Sequence, residues 1–60
     1  MVYEVGDEIR VTDPLSPHYA KIAKVINVGK PNHMYGYLYT VEFLTGETDT
    51  LVNAEISHKI

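Results

Sequence analysis

Three histidines and two serines are the side chains of this 60-residue chain whose types suit metal-binding or nucleophilic chemistry: His18, His33, His58, Ser16 and Ser57. Imidazole is a common zinc ligand, and a serine with a histidine base is a usual pairing for acyl transfer. No histidine, however, stands two or four positions from another ligand-type residue. The spacing therefore predicts no metal site.

A catalytic serine would also need an oriented third group and an oxyanion hole inside a cleft. A chain of this length buries only about 60% of the surface that it exposes when unfolded, which leaves little room for a cleft. Gly29 and Gly36 flank a proline-containing segment and not a strand-to-helix turn, so no phosphate-binding loop is indicated. We expect a protein that is not an enzyme and that carries no cofactor.

Composition favours a small packed β-domain. The chain has no cysteine, so neither a disulfide nor a thiolate metal site can stabilise it. A hydrophobic content of 45% with five tyrosines is enough for a compact core. No apolar run approaches the length of about 18 residues that spans a membrane, and the first residues do not resemble a secretory signal. We expect a cytoplasmic protein with no membrane contact.

Charge is unevenly distributed along the chain. Residues 1–13 and residues 42–60 each carry a net charge of −3, whereas residues 14–41 carry only Lys21, Lys24 and Lys30 as charged groups. One interpretation is that antiparallel neighbours pair opposite charges across a sheet. The other is that the three lysines bind phosphates while Tyr19 or Tyr35 stacks on bases. Three contacts predict a weak interaction, with a salt slope of about −2 to −3.

Alternating apolar positions and turn residues predict five short strands. Tyr37, Tyr39, Val41 and Phe43 are expected to form a core-facing row, and Gly46 to take a positive φ in a tight hairpin. The predicted strands cover 8–12, 21–28, 37–44, 47–52 and 56–60, with loops over 13–20 and 29–36 and a 3₁₀ turn over 53–55 capped by Asn53.

Five short strands must curl to protect their edges. The sequence therefore predicts one all-β domain over residues 1–60, a five-stranded SH3-like barrel with a short 3₁₀ turn before the last strand. Three segments resemble the SH3-like small barrels: VGDEIRV at 5–11, YAKIAKVI at 19–26 and YTVEFLTG at 39–46.

Two subfamilies of that group are similar to the chain. The segment 19–26 resembles the KOW motif, in which glycines usually stand where Ala20 and Ala23 stand here. KOW domains often bind RNA or ribosomal and transcription proteins, so this resemblance implies such a partner. GDEIRV at 6–11 and TVEF at 40–43 are similar to the photosystem I reaction-centre subunit IV, which implies an accessory subunit.

The two predicted loops carry the residues with the best claim to a binding role. Exposed tyrosine provides a large contact area at low entropic cost and is enriched at interfaces. We expect the loops 13–20 and 29–36 to lie side by side and to bind a partner protein through Tyr19, His33, Met34 and Tyr35. The alternative is weak binding of RNA or DNA by Lys21, Lys24 and Lys30. The oligomeric state stays open.

Overall fold

One antiparallel sheet of five strands forms the protein. The computed structural model describes residues 2–32 and 36–59, and for residues 31 and 32 it describes the backbone. The elements are β1 (Glu8–Val11), β2 (Ile22–Asn32), β3 (Gly36–Phe43), β4 (Thr48–Val52), a 3₁₀ turn (Asn53–Glu55) and β5 (Ile56–His58). The strands lie in the order β4-β3-β2-β1-β5, and the described residues contain no α-helix. The predicted small five-stranded all-β domain with its 3₁₀ turn is confirmed.

The core explains why this sheet curls. Every strand contributes to one buried cluster, so the sheet must wrap around it, and Tyr3 closes the cluster from the N-terminal segment. The predicted core row is confirmed for three residues of β3, while Tyr37 is half-buried and packs at the margin. The buried residues are Tyr3, Ile9, Val11, Ala23, Val25, Tyr39, Val41, Phe43, Leu51 and Ile56.

The prediction of a loop over 29–36 is wrong for residues 29–32, which continue β2, and for Gly36, which begins β3. Two register shifts against β3, one between Val25 and Asn27 and one between Val28 and Pro31, absorb the irregular residues. Such bulges allow a strand that contains glycine and proline to remain paired with its neighbouring strand. β2 is therefore a long, bent strand.

The predicted cap of the 3₁₀ turn is also wrong. Val52 occupies the N-cap, and its N–H donates to Oε1 of Glu55 at 3.0 Å. The Asn53 side chain contacts β3 instead: its Oδ1 accepts the N–H of Tyr37 at 3.2 Å. Asn53 thus ties the start of β3 to the turn that precedes β5.

Ala20 and Ala23, the two alanines at KOW glycine positions, have different backbones. Ala20 has φ +69°, a left-handed conformation that alanine rarely adopts, whereas Ala23 is a buried residue of regular strand β2. Only the first position therefore has a conformational reason to prefer glycine.

We expect Ala20→Gly to raise the free energy of unfolding by roughly 0.5–1 kcal/mol, since relief of about 1–2 kcal/mol of left-handed strain exceeds the extra entropy of the unfolded glycine. The matched substitution Ala23→Gly should instead lower it by about 0.5–1 kcal/mol or more, because glycine weakens a strand. Urea unfolding of both variants measures this. Destabilisation by both substitutions would show that Ala20 is not strained.

Tyr3 makes the core sensitive to alkali. Burial, and then the neighbouring Tyr39, raise the pKa of the Tyr3 phenol above its ordinary value of 10.0. The folded protein therefore favours the neutral phenol of Tyr3. This stabilisation is fully present at pH values below the pKa of the phenol in the unfolded chain. It is lost as pH rises through the higher pKa of the folded protein.

We expect the stability of the protein to fall above about pH 10, where unfolded tyrosine ionises. Tyr3→Phe keeps the ring, which meets Tyr39 edge-on at 5.2 Å, and should reduce this alkaline loss. Urea midpoints of the two proteins between pH 7 and pH 11 measure the difference. If the urea midpoints of both proteins fell equally steeply above pH 10, ionisation of Tyr3 would not be the cause of the alkaline loss.

Candidate partner-binding groove

Local hydrogen bonds fix the loop that follows β1. Asp13 accepts two of these bonds: its Oδ1 accepts the N–H of Leu15 and its carbonyl accepts the N–H of Ser16, each at 3.0 Å. Ser16 then accepts twice, at Oγ from His18 N–H and at its carbonyl from Tyr19 N–H, each at 3.1 Å. The loop is ordered, yet Leu15 is 91% exposed and Tyr19 55% exposed.

The base of this loop is fastened to β1. Ala20 N–H donates to the Val11 carbonyl at 2.8 Å, and Val11 N–H donates to the Lys21 carbonyl at 3.0 Å. Lys21 N–H closes a tight turn onto the His18 carbonyl at 3.0 Å. The backbones of His18 and Lys21 are therefore set by the core strand.

The His18 ring lies on the end of β3. It stacks on Phe43 with ring centroids 4.2 Å apart and planes 22° apart, and its Nε2 is 3.9 Å from Oδ2 of Asp49. Its Nδ1 is buried and has no hydrogen-bond partner within the described part of the chain. Stacking thus decides the position of this ring, which forms a wall between the loop and the β3–β4 hairpin.

The β3–β4 hairpin presents Leu44 to solvent. Gly46 N–H donates to the Phe43 carbonyl at 2.9 Å, and Phe43 N–H donates to the Glu47 carbonyl at 2.9 Å. The positive φ predicted for Gly46 is confirmed at +90°. Leu44, the first of the three residues between Phe43 and Glu47, is 100% exposed.

Two adjoining cavities share Ile22, Phe43 and Leu44, and we call them together the Leu44 groove. The larger, of about 350 Å³, lies over β2 and is also lined by charged residues of three strands. The smaller, of about 220 Å³, opens between the loop and the hairpin. The smaller is lined by His18, Lys21, Ile22, Phe43, Leu44 and Thr45; the larger adds Glu8, Ala23, Lys24 and Glu42 to the shared three.

The three lysines of the middle segment do not converge. Lys24 is in register with Glu8 on one side and Glu42 on the other, so opposite charges are cross-strand neighbours there, although no ion pair within 4.0 Å joins them. Lys21 lines the groove, while Lys30 lies on the distant half of β2. Lys21 thus precedes β2, Lys24 lies near its start with glutamates as register neighbours, and Lys30 lies near its end.

The two segments predicted to form one face contact opposite ends of the β2–β3 ladder. The loop 12–21 meets the first rung, Ala23 with Phe43, through His18, and the segment 29–36 contains the last rung, Asn32 with Gly36. The face expected from both segments stays a prediction, because most of its predicted contacts lie in residues 33–35. Of its predicted contacts, Tyr19 is exposed on the loop, and His33, Met34 and Tyr35 lie outside the described residues.

Sequence reasoning missed the apolar floor of the groove. Phe43 was predicted only as core, and Leu44 only as the last residue of a strand. A signal was present, because Leu44 directly precedes the Thr45-Gly46 turn on the face opposite to the buried row. An apolar residue at such a position has no core to enter.

The open edge of β4 is covered by carboxylates. Hydrogen-bonded rungs alternate along the β3–β4 ladder, so the amides of Thr50 and Val52 point away from β3. Asp49 Oδ1 accepts the Thr50 N–H at 2.8 Å, and Glu55 Oε1 accepts the Val52 N–H at 3.0 Å. These two amides are thus already bonded within the chain.

The edge at β5 is covered as well. Ile56 N–H donates to the Asn53 carbonyl, and the Ile56 carbonyl accepts the Tyr3 hydroxyl at 3.4 Å. Strand addition needs free main-chain groups at a sheet edge. The main-chain groups of Ile56 are therefore not free for strand addition at this edge.

Comparison of the chain with models of known protein families, with curated proteins and with solved structures finds no match. The relation to SH3-like barrels therefore stays a prediction from the segments named above. A search for potential membrane-crossing helices across the described residues also finds none.

We expect the double variant Asp49→Ala with Glu55→Ala to self-associate more than the parent protein, because it frees the Thr50 and Val52 amides for pairing with another strand. Glu42→Ala with Glu47→Ala removes the same charge from exposed positions and is the matched control. Sedimentation velocity at equal concentrations compares them. If the two double variants self-associated equally, the change in net charge would be the cause. The hypothesis that Asp49 and Glu55 protect the β4 edge would then be wrong.

Proposed function

We propose that this protein is a small non-catalytic interaction module or accessory subunit that binds a partner protein through the Leu44 groove and the loop beside it. The observation that carries the proposal is the set of large apolar side chains, Leu15, Tyr19 and Leu44, that an ordered loop and a tight hairpin hold in solvent. None of the three belongs to the core cluster. Their exposure is therefore not explained by folding.

Order in the loop supports binding, because association costs less when the contact residues are already held in place. The hydrogen bonds of Asp13 and Ser16 supply that order. Aromatic and apolar anchors beside a pocket are also the usual centres of protein interfaces.

The arrangement of the polar groups supports a non-catalytic role. Ser16 Oγ accepts the backbone amide of His18, and the His18 ring is stacked on Phe43 with Nε2 toward Asp49. The Ser16 hydroxyl and the His18 ring thus stabilise the conformation of the loop. The nucleic-acid alternative has weaker support than the protein partner, because Lys24 lies between Glu8 and Glu42 in the sheet.

We expect the double variant Leu15→Ser with Leu44→Ser to lose the partner without losing the fold, because these exposed side chains stabilise little. The control is Val2→Ser with Val5→Ser, which makes the same kind of change at residues 50% and 64% exposed that do not line the groove. Quantitative affinity capture from the cells that express the chain, with urea unfolding alongside, tests this.

A partner should be retained by the parent and by the valine variant and depleted by the leucine variant. Retention by the leucine variant, or equal depletion by both, would refute binding through the groove. Binding of single-stranded RNA or duplex DNA at low salt that all three proteins share would favour the nucleic-acid alternative instead.

A further inference from the structure

Lys21 lies beside the smaller cavity with its charge uncompensated. Among the described residues no carboxylate is within 4.0 Å of its ammonium group, whereas Lys59 has Glu8 at 3.6 Å. Lys24 likewise has no carboxylate within 4.0 Å among the described residues, but its register neighbours on both sides of the sheet are glutamates, Glu8 and Glu42. Lys21 is therefore the groove lysine without a carboxylate as a register neighbour.

The surroundings of Lys21 are mainly apolar. Ile22, Phe43 and Leu44 supply the floor and one wall of the 220 Å³ cavity, and the His18 ring supplies another wall. Asp49, whose Oδ2 is 3.9 Å from His18 Nε2, is not among the residues that line this cavity. An occupant thus meets apolar surface with one positive charge at its margin.

The size of the cavity sets the size of the occupant. Pockets for complete small molecules usually measure about 300–1,000 Å³, so a cavity of about 220 Å³ fits a single side chain better. The adjoining 350 Å³ cavity shares three lining residues, so the occupant can continue beyond that side chain. Both features favour a chain segment over a free acid.

We propose, on the basis of the proposed function, that the Leu44 groove recognises a partner segment in which an apolar side chain adjoins a carboxylate. The apolar side chain enters the smaller cavity, and the carboxylate of the neighbouring Asp or Glu pairs with Lys21. Because Thr50, Val52 and Ile56 already use their outward amides at the two sheet edges, we expect the segment to be recognised by its side chains. An acidic neighbour gives specificity, while the apolar anchor gives most of the affinity.

Labelled peptides of one design test this proposal: neutral Gly-Ser flanks around a central Leu-Asp, Leu-Asn or Leu-Lys pair. Fluorescence anisotropy at low salt measures their binding. The Leu-Asp peptide should bind about two- to fivefold more tightly than the Leu-Asn peptide, as one exposed ion pair allows, and the Leu-Lys peptide more weakly still.

Lys21→Gln should abolish the preference for Leu-Asp, and the preference should also decline with added salt. Lys30→Gln, which removes an exposed lysine far along β2, is the matched control and should leave it unchanged. Equal binding of the Leu-Asp and Leu-Asn peptides, no binding of any peptide, or a preference that survives Lys21→Gln would each overturn the proposal.

The two proposals fail separately. Loss of the captured partner on Leu15→Ser with Leu44→Ser, together with no effect of Lys21→Gln on the peptides, would leave the interaction module standing and reject the acidic motif. Capture that is unaffected by the leucine substitutions would reject the module itself.

Discussion

The stacking of His18 on Phe43 is the contact on which the candidate site depends. Phe43 belongs to the core and to the β3–β4 hairpin, while His18 belongs to the loop after β1. Their contact therefore joins two segments that are separate in sequence and fixes the width of the space between them. Lys21 and Leu44 line the same cavity, and these two rings hold the loop that ends at Lys21 against the hairpin that begins at Leu44.

Much of the fold could be predicted because it is encoded locally. Alternation in β3 identifies the buried row from Tyr39 to Phe43, and Gly46 marks the hairpin through its conformational freedom. The continuation of β2 beyond Gly29 could not be predicted from the local sequence. A Cβ at Gly29 would lie 3.2 Å from the Leu38 carbonyl oxygen, so the need for glycine there arises from the neighbouring strand.

The candidate site was less accessible to sequence reasoning, because its residues come together through topology. Tyr19 could be recognised as a loop residue and is exposed. Lys21 can be identified as a groove residue only if one knows which end of the β2–β3 ladder the loop contacts. The charge distribution along the sequence groups Lys21 with Lys24 instead. The role of Asn53 was missed for the same reason, since the amide that it binds belongs to Tyr37, sixteen positions away.

The hydrogen bonds at the base of the loop have a consequence for the variability of this protein. Val11 and Ala20 are hydrogen-bonded to each other at the base of the loop, so the backbone of residues 13–19 is held at its two ends. Apart from His18, the side chains of that stretch can then change without altering the packing of the sheet. Substitutions at the exposed positions Leu15 and Tyr19 can therefore change the surface beside the groove while the sheet keeps its architecture.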